Sequence, residues 1–206
     1  MRKVFLFLYP IKEYVRFLQF RDNKPLPIMN ECIQKRYRDN GYEVIFALFP
    51  DRELCELEKK EEDKVVYTDI PFTDLNGFDE NGKEKDRSQI KYADSMHILR
   101  QVGPTDKLVI GGFHFDDCVK RVALASKSIG IDTLIDLEMT DKLASLYDAE
   151  YFQLDNYSPK RYYEWLKKKR IEMGITDNTE FEEMFKERFS DDIYGFYTDE
   201  DDKTKK

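Results

Sequence analysis

The segment KLVIGGFHFDDCVKRVALASKSIGIDTLIDL, residues 107–137, decides the fold. Its first seven residues, KLVIGGF, form an apolar run that predicts a buried strand. The two glycines in this run allow the backbone to turn sharply or to pass close to another segment. A helical pattern runs from Asp116 to Ile129, and IDTLIDL predicts the next strand. Buried strands joined by a helix are parallel neighbours in a sheet, so this segment indicates an α/β fold.

The same alternation of strand and helix extends towards the amino terminus. Apolar strands are predicted at 3–9, 42–49 and 64–70, ahead of the two strands in the opening segment. Helices are predicted from Ile11, from about Pro27 to Asn40, over 51–63 and over 91–102. The strands are apolar without alternation, which is typical of a sheet covered on both faces. The prediction is a doubly wound, three-layer α/β/α domain over residues 1–148, with a mostly parallel sheet of about five strands.

Two regions depart from this alternation. Residues 71–89 are rich in Asp, Asn and Gly and show no period, which predicts a long loop forming a lid or wall over a site. Residues 149–198 show helical patterns and predict a helical C-terminal extension. We expect its aromatic side chains either to pack on the α/β domain or to form a homo-oligomer interface. Residues 199–206 are predicted to be a disordered tail.

The composition excludes several classes of function. The 206 residues carry a formal net charge of −8, and an acidic surface repels the phosphates of nucleic acids and anionic lipids. No apolar window reaches transmembrane length, and the apolar run near Met1 is too short for a signal peptide. The three cysteines are far apart and form neither a disulfide framework nor a zinc motif. We expect a cytoplasmic protein that binds a small-molecule substrate or ligand, without nucleic acid, membrane, metal or cofactor.

Residues 111–118 fall where α/β proteins bind their ligands, beyond the carboxyl end of a strand and at the start of a helix. Asp116 and Asp117 are predicted to cap that helix, and their charges disfavour a phosphate site. The thiol of Cys118 lies near the positive end of the helix dipole, which favours the nucleophilic thiolate. Burial as an inert core residue is the alternative for this cysteine. A metal site built from His114, Asp116 and Cys118 is disfavoured, because the helix start breaks their alternation.

The spacing around this cysteine resembles the cysteine motif of the isochorismatase-like hydrolases, a strand followed by TGxxxxxCV. In the stretch GGFHFDDCV, Gly112 stands six residues before Cys118, as in that motif. Ala123 lies five residues after the cysteine and Gly130 twelve after it, where the family has its helix and closing glycine. The preceding stretch, LRQVGPTDKLVIGG, is similar to the helix and strand that lead into the motif. The resemblance covers residues 98–140.

The resemblance implies a Cys–Asp–Lys site in which Cys118 is the nucleophile. A peptide near His114 would be the one that, in this family, is often cis and helps to build the oxyanion hole. The family's aspartate ends the first strand, and this chain has Tyr9 there instead. The base would then be His114, Glu13 or Asp117.

The remaining roles follow from the same resemblance. The family's lysine falls near Lys83 or Lys85, and we assign its role to Lys85. Residues expected to contact the substrate are Tyr9, Gly112, Phe113 and Asp117. The histidine-rich metal motif of the family's nicotinamidases cannot be built, since the chain has only two histidines.

Three functions are compatible with these residues. The first is a divergent isochorismatase-like cysteine hydrolase that acts on a small amide, ester or vinyl-ether substrate. The second is a non-catalytic ligand-binding or regulatory protein on the same fold, possibly oligomeric. The third is an oligomeric scaffold whose aromatic helical tail forms the interface. Tyr9 in the place of the family's aspartate favours the second hypothesis, and the spacing around Cys118 favours the first.

Overall fold

The computed structural model describes residues 1–18, 25–55, 57–75, 85–86 and 90–140, together with 164, 167–168, 170–172, 174–177 and 179. Its strands are β1 (Lys3–Leu8), β2 (Glu43–Leu48), β3 (Lys64–Tyr67), β4 (Lys107–Gly112) and β5 (Asp132–Thr140). Its helices are α1 (Lys12–Leu18), α2 (Pro25–Cys32), α3 (Phe72–Leu75), α4 (Ser95–Val102) and α5 (Lys120–Ser128). A π-helical turn, Ile33–Tyr37, extends α2, and another, Phe115–Val119, leads into α5.

The five strands form one parallel sheet in the order β3-β2-β1-β4-β5. The central strand is β1, where Leu6 lies opposite Ile45 on one side and Ile110 on the other. The chain runs outward from β1 to β3 and returns through α4 to the opposite side of β1. Helices cover both faces of the sheet. The predicted three-layer α/β/α fold with about five mostly parallel strands is therefore confirmed.

The central strand is apolar throughout because both of its faces are covered. Residues 4–8 are fully buried. On one face, Phe5 stacks on Tyr37 with ring centroids 3.7 Å apart, and Phe7 packs edge-on against Phe113 at 6.1 Å. Full burial of a side chain of this size contributes about 1.5–3 kcal/mol, so β1 anchors the core.

The amino ends of the strands are held together by Arg2. Its guanidinium donates to both carboxylate oxygens of Glu43, at 2.8 and 2.9 Å, and to the carbonyls of Val102 and Pro104 at 2.8 and 2.7 Å. The hydrogen bond from Arg2 lowers the pKa of Glu43 to about 2, and Lys64 adds to the shift. The opposite edge of the sheet, where the strands end, is the one at which ligands bind in such folds.

The predicted charged helix over 51–63 is wrong. The described residues of that segment are irregular, and long-range bonds explain why. The buried guanidinium of Arg38 donates to the carboxylate of Asp63 and, at 2.9 Å, to the carbonyl of Glu58. The Asp63 carboxylate also accepts from the N–H of Lys60 at 2.8 Å, and Cys55 donates its N–H to Pro10 at 2.8 Å. These contacts replace the bonds that a helix would have made within itself.

The last strand runs three residues beyond its predicted end at Leu137, reaching Thr140. Ile110 pairs with Ile135, but Gly112 pairs with Thr140, so β5 contains a bulge over 136–139. The bulge contains Asp136, a buried carboxylate bonded to Arg36 at 2.7 Å and to the hydroxyl of Tyr37. Bulges commonly redirect a side chain in this way.

The described residues towards the carboxyl terminus are helical at 164, 167–168, 170–172 and 179. The helix that includes 170–172 ends at Gly174, whose φ of 82° is left-handed. Most of the predicted extension over 149–198, and the predicted tail 199–206, lie outside the described residues, so their boundaries stay predictions. Among the described helices, none is both long and apolar enough to cross a bilayer.

Candidate functional site

Four segments converge at the carboxyl edge of the sheet. Tyr9 follows β1, Phe49 follows β2 and Asp69 follows β3, while residues 113–118 follow β4. Parallel strands bring their carboxyl ends to one edge, so these residues meet although they are distant in sequence. This edge is the candidate site.

Tyr9 occupies the position for which the resemblance predicts an aspartate. Its backbone has a φ of 57°, an uncommon conformation for a bulky residue, and its N–H donates to Ala47 at 2.8 Å. The ring is buried and stacks on Phe49 with centroids 4.4 Å apart. Burial raises the pKa of its hydroxyl well above the ordinary value, and nearby Cys118, Tyr14, Asp69 and Asp117 raise it further. The raised pKa means that the hydroxyl stays protonated at neutral pH, so it can donate a hydrogen bond but cannot act as a base.

Gly112 allows β4 to approach β1 at this edge. Its φ is +110°, and a Cβ at this position would lie 2.1 Å from the carbonyl oxygen of Leu8. The next residue, Phe113, donates its N–H to that same oxygen at 2.9 Å. Only glycine fits a left-handed conformation with so close a neighbour. The ring of Phe113 is buried, and its centroid lies 5.8 Å from that of Tyr14.

The peptide between Phe113 and His114 is cis, at the place where the resemblance led us to expect such a bond. The exposed imidazole of His114 lies edge-on to Tyr14, with centroids 4.5 Å apart. Its carbonyl accepts from the N–H groups of Asp117 and Val119, at 3.2 and 3.1 Å. The loop that carries His114 is thus bonded to the turn that carries Cys118.

Cys118 lies in the π-helical turn Phe115–Val119, which leads directly into α5. Such turns are rare and occur frequently at functional sites. The residue is 6% exposed, at the positive end of the helix. Its electrostatic interactions contribute to the raised pKa values of both Tyr9 and Arg121.

Asp117, predicted to cap the helix and to bind substrate, pairs with a residue that the sequence reasoning did not single out. Its carboxylate accepts from Nε of Arg121 at 2.5 Å, and the guanidinium lies 4.0 Å from the centre of the Tyr92 ring. The hydrogen bond to Asp117 is the main cause of a raised pKa for Arg121. The four-residue spacing of Asp117 and Arg121 on a predicted helix is a sequence feature from which this pair could be predicted.

The other two predicted catalytic residues occupy different surroundings. Glu13 lies at the start of α1, and its carboxylate accepts from Nε of Arg52 at 2.7 Å. Arg52 also bonds to Asp51 at 3.0 Å. Lys85 is half-buried in the short described segment 85–86, and the residues on either side of that segment lie outside the described ones. The structure therefore brings Tyr9, Asp117 and Cys118 to one edge of the sheet. The catalytic and binding roles of all the predicted site residues, Glu13 and Lys85 included, stay predictions.

No group of three histidine, cysteine or acidic side chains converges as metal ligands would, within the residues that the structure describes. The carboxylates described at this edge are instead paired with an arginine, as Asp117 is with Arg121, or hydrogen-bonded to the backbone. Asp69, for example, accepts from the N–H of Asp94 at 2.8 Å.

No protein-family model matches the chain, and no curated protein sequence does. Among solved structures, a zinc complex of the pyrazinamidase of Pyrococcus horikoshii is similar at 13% identity and a TM-score of 0.46, over 71% of this chain and 93% of that one. The N-carbamoylsarcosine amidase of Thermoplasma acidophilum is 14% identical with a TM-score of 0.41, over 68% and 84% of the two chains. An isochorismatase-family protein of Desulfovibrio vulgaris is 13% identical with a TM-score of 0.43, over 71% and 87%. The last of these is named for the isochorismatase family, which is the family that the motif around Cys118 resembles.

Proposed function

We propose that this protein is a cysteine hydrolase that acts on a small amide, ester or vinyl-ether substrate at the carboxyl edge of its sheet. The observation that supports the proposal most is the position of Cys118. It lies near the start of a helix, with Arg121 three residues further along, and its electrostatic interactions reach both Arg121 and the protonated hydroxyl of Tyr9. A helix start and a neighbouring cation both favour the thiolate, which is the nucleophilic form of cysteine.

The reaction on an amide or ester is the ordinary one for a cysteine nucleophile. The thiolate attacks the carbonyl carbon, a carbon–sulfur bond forms, and the π electrons of the carbonyl move to its oxygen. When the oxyanion collapses, the bond to the leaving amine or alcohol breaks, and the leaving group takes a proton from a general acid. Water then attacks the thioester and releases the acid product together with the thiol.

His114 is the proposed proton carrier. Of the three predicted bases, Glu13 bonds to Arg52 and Asp117 bonds to Arg121, so both carboxylates are paired with guanidinium groups. The imidazole of His114 is exposed at the mouth of the site, on a loop bonded to the turn of Cys118. Histidine is the side chain best suited to exchange protons near neutral pH.

Tyr9 has a different proposed role from the aspartate it replaces. Its hydroxyl keeps its proton, so it can donate a hydrogen bond to a polar group of the substrate but cannot deprotonate the thiol. We assign proton transfer to His114 and substrate orientation to Tyr9.

The test is the rate at which iodoacetamide alkylates Cys118 at different pH values, followed at that residue by peptide mass spectrometry. We expect the rate to rise with a midpoint below about 8.5, the value of a free thiol. His114→Ala should shift that midpoint, while Glu13→Gln should leave it unchanged. A screen of small amides and esters would follow, with Cys118→Ala as the inactive control.

The second candidate function is a non-catalytic ligand-binding protein, and the 6% exposure of Cys118 is the observation that favours it. If the thiol were labelled only as the protein unfolds, Cys118 would be a core residue. That result would contradict the hydrolase proposal and favour ligand binding.

A further inference from the structure

Arg121 presents a guanidinium held in one orientation at the rim of the Cys118 site. Its Nε donates to Oδ1 of Asp117 at 2.5 Å, and its Cζ lies 4.0 Å from the centre of the Tyr92 ring. A carboxylate on one edge and an aromatic ring on one face together restrict a side chain that would otherwise sample many rotamers. The side chain is still 52% exposed, so solvent molecules and ligands can reach it.

The Nη atoms at the outer edge of this guanidinium make no hydrogen bond to the residues that the structure describes. Arginine carries five N–H groups, of which four are on the two Nη atoms. Within the described parts of the chain, the Nε bond to Asp117 is the one hydrogen bond that Arg121 makes. Arg2 provides the contrast, because its Nε, Nη1 and Nη2 all donate to groups of the protein. Among the residues that the structure describes, the two Nη atoms of Arg121 therefore have no hydrogen-bond acceptor.

This edge lies close to the proposed nucleophile. Arg121 is three residues beyond Cys118, and residues three apart on a helix lie on the same side of it. The charge of Cys118 contributes to the raised pKa of Arg121, after the hydrogen bond to Asp117 and the charges of Asp117 and Tyr92. A group bound to the Nη atoms would therefore lie on the side of the helix that carries Cys118.

We propose that Arg121 binds a carboxylate of the substrate, so that the hydrolase acts on amides or esters that carry a second, anionic group. The two parallel N–H donors of a guanidinium match the two oxygens of a carboxylate. A neutral acceptor would form weaker bonds to these donors, because it lacks the negative charge and the second oxygen. Asp117 and Tyr92 are positioning residues in this proposal. A chain with a net charge of −8 repels anions in general, so recognition of a carboxylate needs a local cation of this kind.

This inference rests on the proposed hydrolase site, and one experiment tests the two separately. Iodoacetate and iodoacetamide alkylate the same thiolate, but only iodoacetate carries a carboxylate. The ratio of their rates at Cys118, measured at one pH, is therefore independent of the fraction of thiol that is ionised. The same ratio in urea-unfolded protein provides the reference.

We expect the folded protein to favour iodoacetate relative to that reference, and Arg121→Gln to lower the ratio about tenfold, as expected for loss of a charge-assisted hydrogen bond. Arg121→Lys, which keeps the charge without the fork, should give an intermediate value. Lys127→Gln removes a positive charge from the other end of α5 and should leave the ratio unchanged.

A ratio that Arg121→Gln does not change would overturn the carboxylate proposal while leaving Cys118 a reactive thiol. Equal losses in Arg121→Gln and Lys127→Gln would attribute the preference to overall charge and would overturn it as well. Failure of both reagents to label folded protein would overturn the hydrolase proposal and this inference together.

Discussion

Gly112→Ala should lower the free energy of unfolding by about 2–6 kcal/mol. The strain of an L residue at a φ of +110° contributes about 1–3 kcal/mol of this. The added methyl group would also lie 2.1 Å from the carbonyl oxygen and 2.5 Å from the amide nitrogen of Leu8. Backbone atoms of a central strand cannot rotate away as a side chain can, so β1 and β4 must separate, which costs about another 1–3 kcal/mol.

The matched control is Gly41→Ala. Gly41 also has a left-handed φ, +73°, but a Cβ there would meet nothing within 4 Å. Its cost should be the conformational strain alone, about 1–2 kcal/mol. Urea unfolding followed by circular dichroism gives both values. Similar slopes of the unfolding free energy against urea concentration would show that the unfolded states of the two variants are comparable. If Gly112→Ala cost no more than Gly41→Ala, the close approach of β4 to β1 at this glycine would be refuted.

Two further predictions concern charged pairs outside the site. Arg36→Met should cost about 3–5 kcal/mol, because it removes the guanidinium from a carboxylate, that of Asp136, with no exposed surface. The double variant with Asp136→Leu as well should recover most of that lost unfolding free energy, as measured by urea unfolding. A cost below about 1 kcal/mol for Arg36→Met alone would contradict a buried ion pair between Arg36 and Asp136. The folded-state pKa of Glu43 is about 2, below its ordinary value of 4.5. Its pairing with Arg2 therefore stabilises the protein fully above pH 4.5, and this stabilisation is lost as the pH falls towards 2. The stability difference between wild type and Glu43→Gln should shrink over that range, and a difference independent of pH would contradict the pairing.

Much of the candidate site could be predicted from local spacing. The glycine, the cysteine and the helix after β4 are close in sequence, and a strand–turn–helix unit leaves little freedom in how they are arranged. That is why Gly112 and Cys118 could be named in advance. Tyr9 could be placed beside them because it follows the first buried strand, and parallel strands end at a common edge.

The residues that depend on contacts between side chains could not be predicted in the same way. Glu13 was a reasonable base from its position one turn past β1, but the fold brings Arg52 to its carboxylate. Arg121 carries no family motif; its spacing from Asp117 can be read from the sequence, but its contact with the ring of Tyr92 cannot. Such pairings join segments up to 39 residues apart, a distance over which helical or strand periodicity carries no information.

The sequence by itself determined the architecture, because continuous apolar runs separated by helical patterns can bury their surface only as a parallel sheet covered on both faces. It also determined the left-handed turn at Gly41 that ends the helical region before β2, since glycine adopts that conformation without a steric penalty. Only the tertiary structure decided the irregular path of 51–63 and the bulge at Asp136. In both places a buried arginine, Arg38 or Arg36, needed a carboxylate from a distant segment. The large free-energy cost of leaving such a charge unpaired in the core outweighed the weak local preferences of the chain.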